Sequence, residues 1–243
     1  MLKKTIIALS VVLLFSNIAS AVIIAKINDP NDGHSLAKII EEEGIIVGDK
    51  LFDNFIVSTA KSEDAVAPDE DAITVFGILL DGELGLRFTG GWTAGGGQVA
   101  DTTLIFHVTA DEPWLIHDNS LWMDGYGAES GGMASITENV FASNPLEGYT
   151  PSLADKYVYY VGPNNKQLYD HKEFTDAEGN PIALPEIWVV KDIVVAGGSP
   201  TEPGGASISQ FYQTFSQIPE PGTVALVLLG SLFGLSHRKR TGH

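Results

Sequence analysis

The chain has 243 residues, 44% of them hydrophobic and 19% charged, with 26 Gly, 12 Pro and a formal net charge of -17. That length predicts one domain with appendages, and the turn-rich composition favours β structure over long helices. With no cysteine, a disulfide framework, thiolate zinc sites, iron–sulfur clusters and a Cys nucleophile are excluded, while the acidic balance argues against nucleic acid, whose phosphates reward clustered Lys and Arg.

In chain order, residues 1–21 begin with Lys3 and Lys4, continue through an apolar run from Ile6 to Phe15, and end on Ala19, Ser20 and Ala21. That order predicts a Sec-type signal peptide, cut by signal peptidase after Ala21 with Ala19 and Ala21 as the small residues of the cleavage site. Residues 22 to 218 then hold 9 Lys and Arg against 30 Asp and Glu, a net of -21. The run Asn28-Asp29-Pro30-Asn31-Asp32-Gly33 gathers oxygens that suit a hard cation. It fails the EF-hand register, since aligning Gly33 with that loop's glycine puts Ile39 where a bidentate Glu is needed. Asp29, Asn31 and Asp32 stand as calcium candidates beside the alternative of an Asx-rich turn.

Ser35 to Glu43 predicts the one helix, with Ser35 as N-cap, Leu36, Ile39 and Ile40 on one side and Gly44 as its stop. The next residues read as two extended pieces around Gly48-Asp49. Period-2 runs follow at Ile73 to Leu80, Leu84 to Phe88, Leu104 to Thr109, Ala134 to Val140, Lys156 to Val161, Ile187 to Val195 and Ala206 to Phe215. In the third of these, Leu104, Phe106 and Val108 share the expected core face. The pattern predicts a mainly β fold, a single antiparallel β-sandwich over residues 22–217 with one short N-terminal helix. Gly197 to Gly205 reads as a long hairpin loop, and the aromatic-rich strand after it as the one that closes the sheet.

Residues 218–243 contain Pro219-Glu220-Pro221, an uncharged apolar stretch of 15 residues from Gly222 to Ser236, and the basic cluster Arg238-Lys239-Arg240. The stretch is shorter than the ~20 residues of an ordinary transmembrane helix, and flanking residues and local thinning absorb the mismatch. Basic clusters at both ends predict an exported middle, by the positive-inside rule. This tail resembles the PEP-CTERM sorting domain. Pro219, Glu220 and Pro221 match its motif one by one, and Arg238, Lys239 and Arg240 match its basic stop. The resemblance implies recognition and trimming by an exosortase, in bacteria that usually make exopolysaccharide. The body also resembles a recurrent PEP-CTERM ectodomain through GDKLF-x-NF, FTGGWTAGGGQ-x-AD, VVKDI-x-VAGG and GGASIS-x-F-x-QTFSQ, a resemblance that implies the sandwich and the compartment but no activity.

No motif for catalysis emerges. The G-x-S-x-G, H-E-x-x-H and P-loop patterns are absent. Gly95-Gly96-Gly97-Gln98-Val99-Ala100 fits a relaxed dinucleotide fingerprint but precedes a strand rather than a helix, which makes it a glycine loop. Asp69-Glu70-Asp71 reads as a solvated loop beside Pro68. His34, His107, His117 and His171 are dispersed, and His117-Asp118 forms a catalytic pair only if a serine folds beside it. Trp92, Trp114, Trp122 and Trp188 are either sugar-stacking platforms or core, with core expected for most of them. The chain is therefore expected to be a non-enzymatic exported protein of the cell surface or matrix, structural or adhesive and associated with exopolysaccharide. It would use no cofactor, meet signal peptidase and exosortase during processing, and touch the membrane through its C-terminal helix. The alternatives are a secreted polysaccharide hydrolase and a calcium-stabilised adhesive or carbohydrate-binding module.

Overall fold

A computed structural model describes residues 22–148, 150–162, 164–201 and 204–220. The expected signal peptide with Ala19 and Ala21, and the tail from Pro221 through Arg238, Lys239 and Arg240, lie outside the described residues.

The chain starts with β1 (Ile23–Ile24) and β2 (His34–Ser35), then the short helix α1 (Leu36–Glu41). Ser35 caps α1 as expected, its Oγ accepting from Lys38 N at 3.3 Å, and Leu36 and Ile39 pack inward. The helix stops at Glu41 rather than Glu43. Glu43 already has φ 59° and Gly44 φ 144°, so the chain turns away before the acidic run can lengthen the unfavourable C-terminus. There follow β3 (Ile45–Val47), β4 (Lys50–Lys61), β5 (Thr74–Leu80), β6 (Glu83–Gly95) and β7 (Val99–Ala110). Next come β8 (Trp114–Ala128), β9 (Met133–Phe141), β10 (Ser152–Gly162), β11 (Asn165–Gln167), β12 (Tyr169–Glu173), β13 (Glu186–Ala196) and β14 (Gly205–Pro219).

Two sheets form, ordered β1-β3-β4-β7-β13-β9-β10-β11 and β12-β8-β14-β6-β5-β2. Among the described pairs, β1 with β3 is parallel and the others are antiparallel. Alternation aims one side of each sheet at the other. On β7, Leu104, Phe106 and Val108 are fully buried, the face the sequence assigned to the core. Across the gap Phe52 meets Phe215 at 5.7 Å between ring centroids and Phe106 meets Phe88 at 6.0 Å. These contacts give a mainly β, two-sheet, sandwich-like arrangement over one apolar core.

Three expectations need correction. The strand β8, the equal of β14 in length, went unrecognised because its centre, His117-Asp118-Asn119-Ser120, reads as a polar loop. The segment after Ala196 is no hairpin loop, since β13 and β14 lie in different sheets and the glycines carry the chain across the sandwich end. The strand expected to close the sheet, β14, lies inside it. It runs between β8 and β6 and extends to Pro219, beyond the boundary placed at 217.

Candidate functional site

Strand register carries five side chains from distant parts of the chain into one line on the outer face of the six-stranded sheet. Tyr169 of β12 stands opposite Trp122 of β8, Trp122 opposite Tyr212 of β14, Tyr212 opposite Arg87 of β6, and Arg87 opposite Phe76 of β5. Their chain neighbours Leu121, Met123, Phe211, Gln213, Leu86 and Phe88 are buried, so the pleat turns this row outward. Trp122, Tyr212, Arg87 and Phe76 are half-buried, and Tyr169 is 47% exposed. With neighbouring strands about 4.8 Å apart, the row is about 19 Å long.

The rings hold one another in place. Trp122 and Tyr169 lie 4.8 Å apart between centroids, and the Arg87 guanidinium sits 4.0 Å over the Phe76 ring. Polar groups flank the row. Asp124 Oδ2 accepts from Gln210 Nε2 at 2.8 Å and from Tyr212 OH at 3.4 Å. Burial, then the Asp124 charge, raises the Tyr212 pKa, which keeps its hydroxyl a donor. On the other side Ser120 Oγ and His171 Nδ1 share a hydrogen bond of 3.0 Å. Flat apolar rings edged by donors and acceptors suit a ligand with apolar faces and a polar rim.

A second depression, about 540 Å³, lies on the eight-stranded sheet at the bulge of β4. Asp53, Asn54, Asn144 and Trp188 line it. Beside Trp188 on the neighbouring strand, the His107 ring lies 4.9 Å away, tilted by 34°, and shares a 2.8 Å hydrogen bond with Asp53 through Nδ1, while Glu186 stands 3.4 Å from Nε2.

A third constellation is internal. Lys156, Glu138 and Lys191 are direct partners across β10, β9 and β13, and all three point into the core with exposures of 3%, 1% and 0%. Asn119 of β8 and Gln213 of β14 meet them from the facing sheet, both at 0%. Glu138 Oε1 accepts from Asn119 Nδ2 at 2.7 Å and from Gln213 Nε2 at 3.2 Å, and lies 2.8 Å from Lys156 Nζ. Lys156 Nζ also donates to Asn119 Oδ1, and Lys191 Nζ to Glu138 Oε2 and Gln213 Oε1. Burial alone would raise the Glu138 pKa, but the two ammonium charges outweigh it and hold the carboxyl down to about 2. Burial lowers Lys191 to about 8, against the opposing pull of Glu138.

The residues singled out in the sequence fall in separate places. Of the four tryptophans only Trp92 is buried, donating to Thr102 Oγ1 at 3.0 Å, so the expectation that most are core fails. Trp114, Trp122 and Trp188 are all half-exposed. His117 Nδ1 lies 3.1 Å from Asp118 Oδ2, but the nearby Ser120 bonds His171 instead and is 2% exposed, so Ser120 does not complete the pair. Asp29 Oδ1 accepts from Asn31 N at 2.9 Å and Asp32 Oδ2 from Lys26 N at 2.5 Å, the second bond being the main cause that lowers the Asp32 pKa. Among the described residues no three of His, Asp and Glu converge as a metal-binding group. Gly95 to Gln98 form the turn between β6 and β7, with Gly97 at φ 74°. Pro219 ends β14 opposite Trp114, and Glu220 N donates to Pro113 O at 2.8 Å. No helix among the described residues is long and apolar enough to cross a membrane. The row missed by sequence reading had one signal, the aromatics of polar-alternating strands, but their alignment exists only in the register.

No family model and no curated protein match the chain. Solved structures do. TmCBM61 in complex with beta-1,4-galactotriose is 13% identical, with 67% of this chain and 89% of that one covered at a TM-score of 0.27. A family 11 carbohydrate-binding module from Clostridium thermocellum, in complex with a mixed-linked tetrasaccharide, is 11% identical over 65% and 88% of the chains at 0.20. A family two carbohydrate esterase from Cellvibrio japonicus is 12% identical over 69% and 36% at 0.22. Scores this low bear on neither topology nor ligand.

Proposed function

We propose that this chain is an exported protein of the cell surface or extracellular matrix that holds a neutral polysaccharide across the outer face of its six-stranded sheet. The observation that carries this reading is the register-aligned row Tyr169-Trp122-Tyr212-Arg87-Phe76. A sugar ring offers C–H faces that stack on such rings and hydroxyls that meet Asp124, Gln210 and His171 at their margins. The net of -21 over residues 22 to 218 repels acidic polymers, which selects an uncharged glycan. The basic and apolar ends support delivery by a signal peptide and a PEP-type sorting signal, with exosortase and signal peptidase as processing partners. The role in this reading is adhesive rather than enzymatic.

Affinity electrophoresis through gels containing neutral or acidic polysaccharides tests it. Retardation by at least one neutral glycan, abolished by Trp122→Ala, is the expected result. Free migration in every neutral gel overturns the reading. Release of reducing ends without retention would favour hydrolysis instead.

A further inference from the structure

The internal cluster has one feature that an ordinary ion network does not need: two ammonium groups share one carboxylate in a site closed to water. An uncompensated cation in an apolar interior is strongly disfavoured, and the usual relief is loss of a proton to leave a neutral amine. A neutral, desolvated amine is a nucleophile. The group in contact with Lys156 Nζ is an electrophile, the side-chain amide of Asn119, presented from the opposite sheet.

We propose that Lys156 and Asn119 join in an autocatalytic amide bond between the two sheets, with Glu138 carrying the protons and the amide nitrogen leaving as ammonium. The atoms balance without any co-reactant. Glu138 takes a proton from the Lys156 ammonium, and the freed Nζ lone pair forms a bond to Asn119 Cγ. The bond from Cγ to Nδ2 then breaks. Of the two protons lost by Nζ, one completes ammonia on the departing Nδ2 and the other leaves with it as ammonium, both passing through the Glu138 carboxylate, which ends unchanged.

Glu138 Oε1 is placed for both transfers, at 2.8 Å from the attacking nitrogen and 2.7 Å from the departing one. All three groups ride on paired strands of a packed core, so approach is pre-organised rather than diffusive. The second lysine has a different geometry. Lys191 lies on Oε2, whereas the Gln213 amide nitrogen lies on Oε1 at the longer 3.2 Å, so no single oxygen of Glu138 serves both partners. The product also resolves the charge excess, because the departing ammonium leaves Glu138 and Lys191 as a one-to-one pair. A chain without cysteine gains in this way the covalent staple that a disulfide would supply.

Peptide mapping of the protein purified from membranes and medium, under denaturing conditions and with trypsin plus a glutamate-specific protease, tests the proposal, because no tryptic site separates Asn119 from Lys156 whereas cleavage at Glu129 and Glu147 does. A branched peptide joining the Asn119 and Lys156 segments is expected, lighter than their sum by one ammonia and uncut by trypsin after Lys156. Glu138→Gln should yield only the two linear peptides. Recovery of linear peptides alone from the wild type overturns the proposal, and this reading does not depend on any variant folding. A branch running through Lys191 and Gln213 overturns the assignment, and an unchanged branch in Glu138→Gln overturns the role of the carboxylate. Polysaccharide retention is read separately, so either result leaves the binding face to stand or fall by itself.

Discussion

Replacing Glu138 by Gln removes the one negative charge among the buried lysines while keeping the shape. Leaving two buried ammonium groups without a counter-charge is expected to cost about 3–5 kcal/mol, which for a domain of this size lowers Tm by on the order of 10 °C. If the Asn119–Lys156 bond forms and requires Glu138, its loss adds about 4 kcal/mol, from opening a loop between residues 37 apart in sequence. The assay is thermal unfolding followed by circular dichroism at about pH 6 and about pH 9.5, with the mass of each sample read in parallel. The pH dependence has a definite sign. Glu138 has a folded pKa of about 2 against an ordinary 4.5, so its contribution is complete above 4.5 and is lost as pH falls toward 2. In a chain without the bond, Lys191 falls from 10.5 to about 8. Between those values the unfolded chain binds more protons than the folded one, so stability rises with pH. The deficit of the variant should therefore shrink at the alkaline pH, which lies above the lowered pKa of Lys191. A Tm lowered by less than about 2 °C, or a deficit that grows as the pH rises, would refute the reasoning.

Two further changes probe the frame of the site. Burial, then the hydrogen bond and charge of Asp101, raises Asp192 from 3.8 to about 6, so between those values the folded chain binds more protons and its stability falls as pH rises. Asp192→Asn should therefore stabilise at neutral pH, by less than about 1 kcal/mol at a half-buried site that solvent still screens, and the gain should vanish in acid. A loss of stability in the denaturant midpoint at neutral pH would contradict this. Gly85 faces β14 so closely that an added Cβ would meet Gln213 O at 1.9 Å and Thr214 Cα at 2.7 Å. Gly85→Ala is expected to cost at least about 1–3 kcal/mol in urea with the slope unchanged, and an unmoved midpoint would mean that the strands separate more easily than the pairing implies.

Much of the scaffold was legible because alternation is a local signal. β7 and β13 announce themselves through Leu104, Phe106 and Val108 and through Ile187, Val189 and Ile193, and Ser35 with Gly44 brackets the helix. β8 was not legible, because inward-facing Asn119 and outward-facing Asp118 and Ser120 hide its alternation, and its polar centre makes sense only once Glu138 and His171 are brought beside it. The same limit hid both candidate sites. Phe76, Arg87, Trp122, Tyr169 and Tyr212 are ordinary members of five separate strands, and nothing in their spacing marks a common line. Lys156 and Lys191 look like solvated charges in alternating strands. Only the pairing of β10, β9 and β13 turns them toward one carboxylate.

The face of the sandwich that meets the glycan can be tested directly. Calorimetric titration of a neutral oligosaccharide, chosen from the polysaccharide that retards the protein, should show Trp122→Ala binding at least about tenfold more weakly than wild type, a difference of about 1.4 kcal/mol. Trp188→Ala, altered on the opposite sheet, should bind as wild type does. Unchanged affinity in Trp122→Ala, or a loss confined to Trp188→Ala, would contradict the assignment of the six-stranded face.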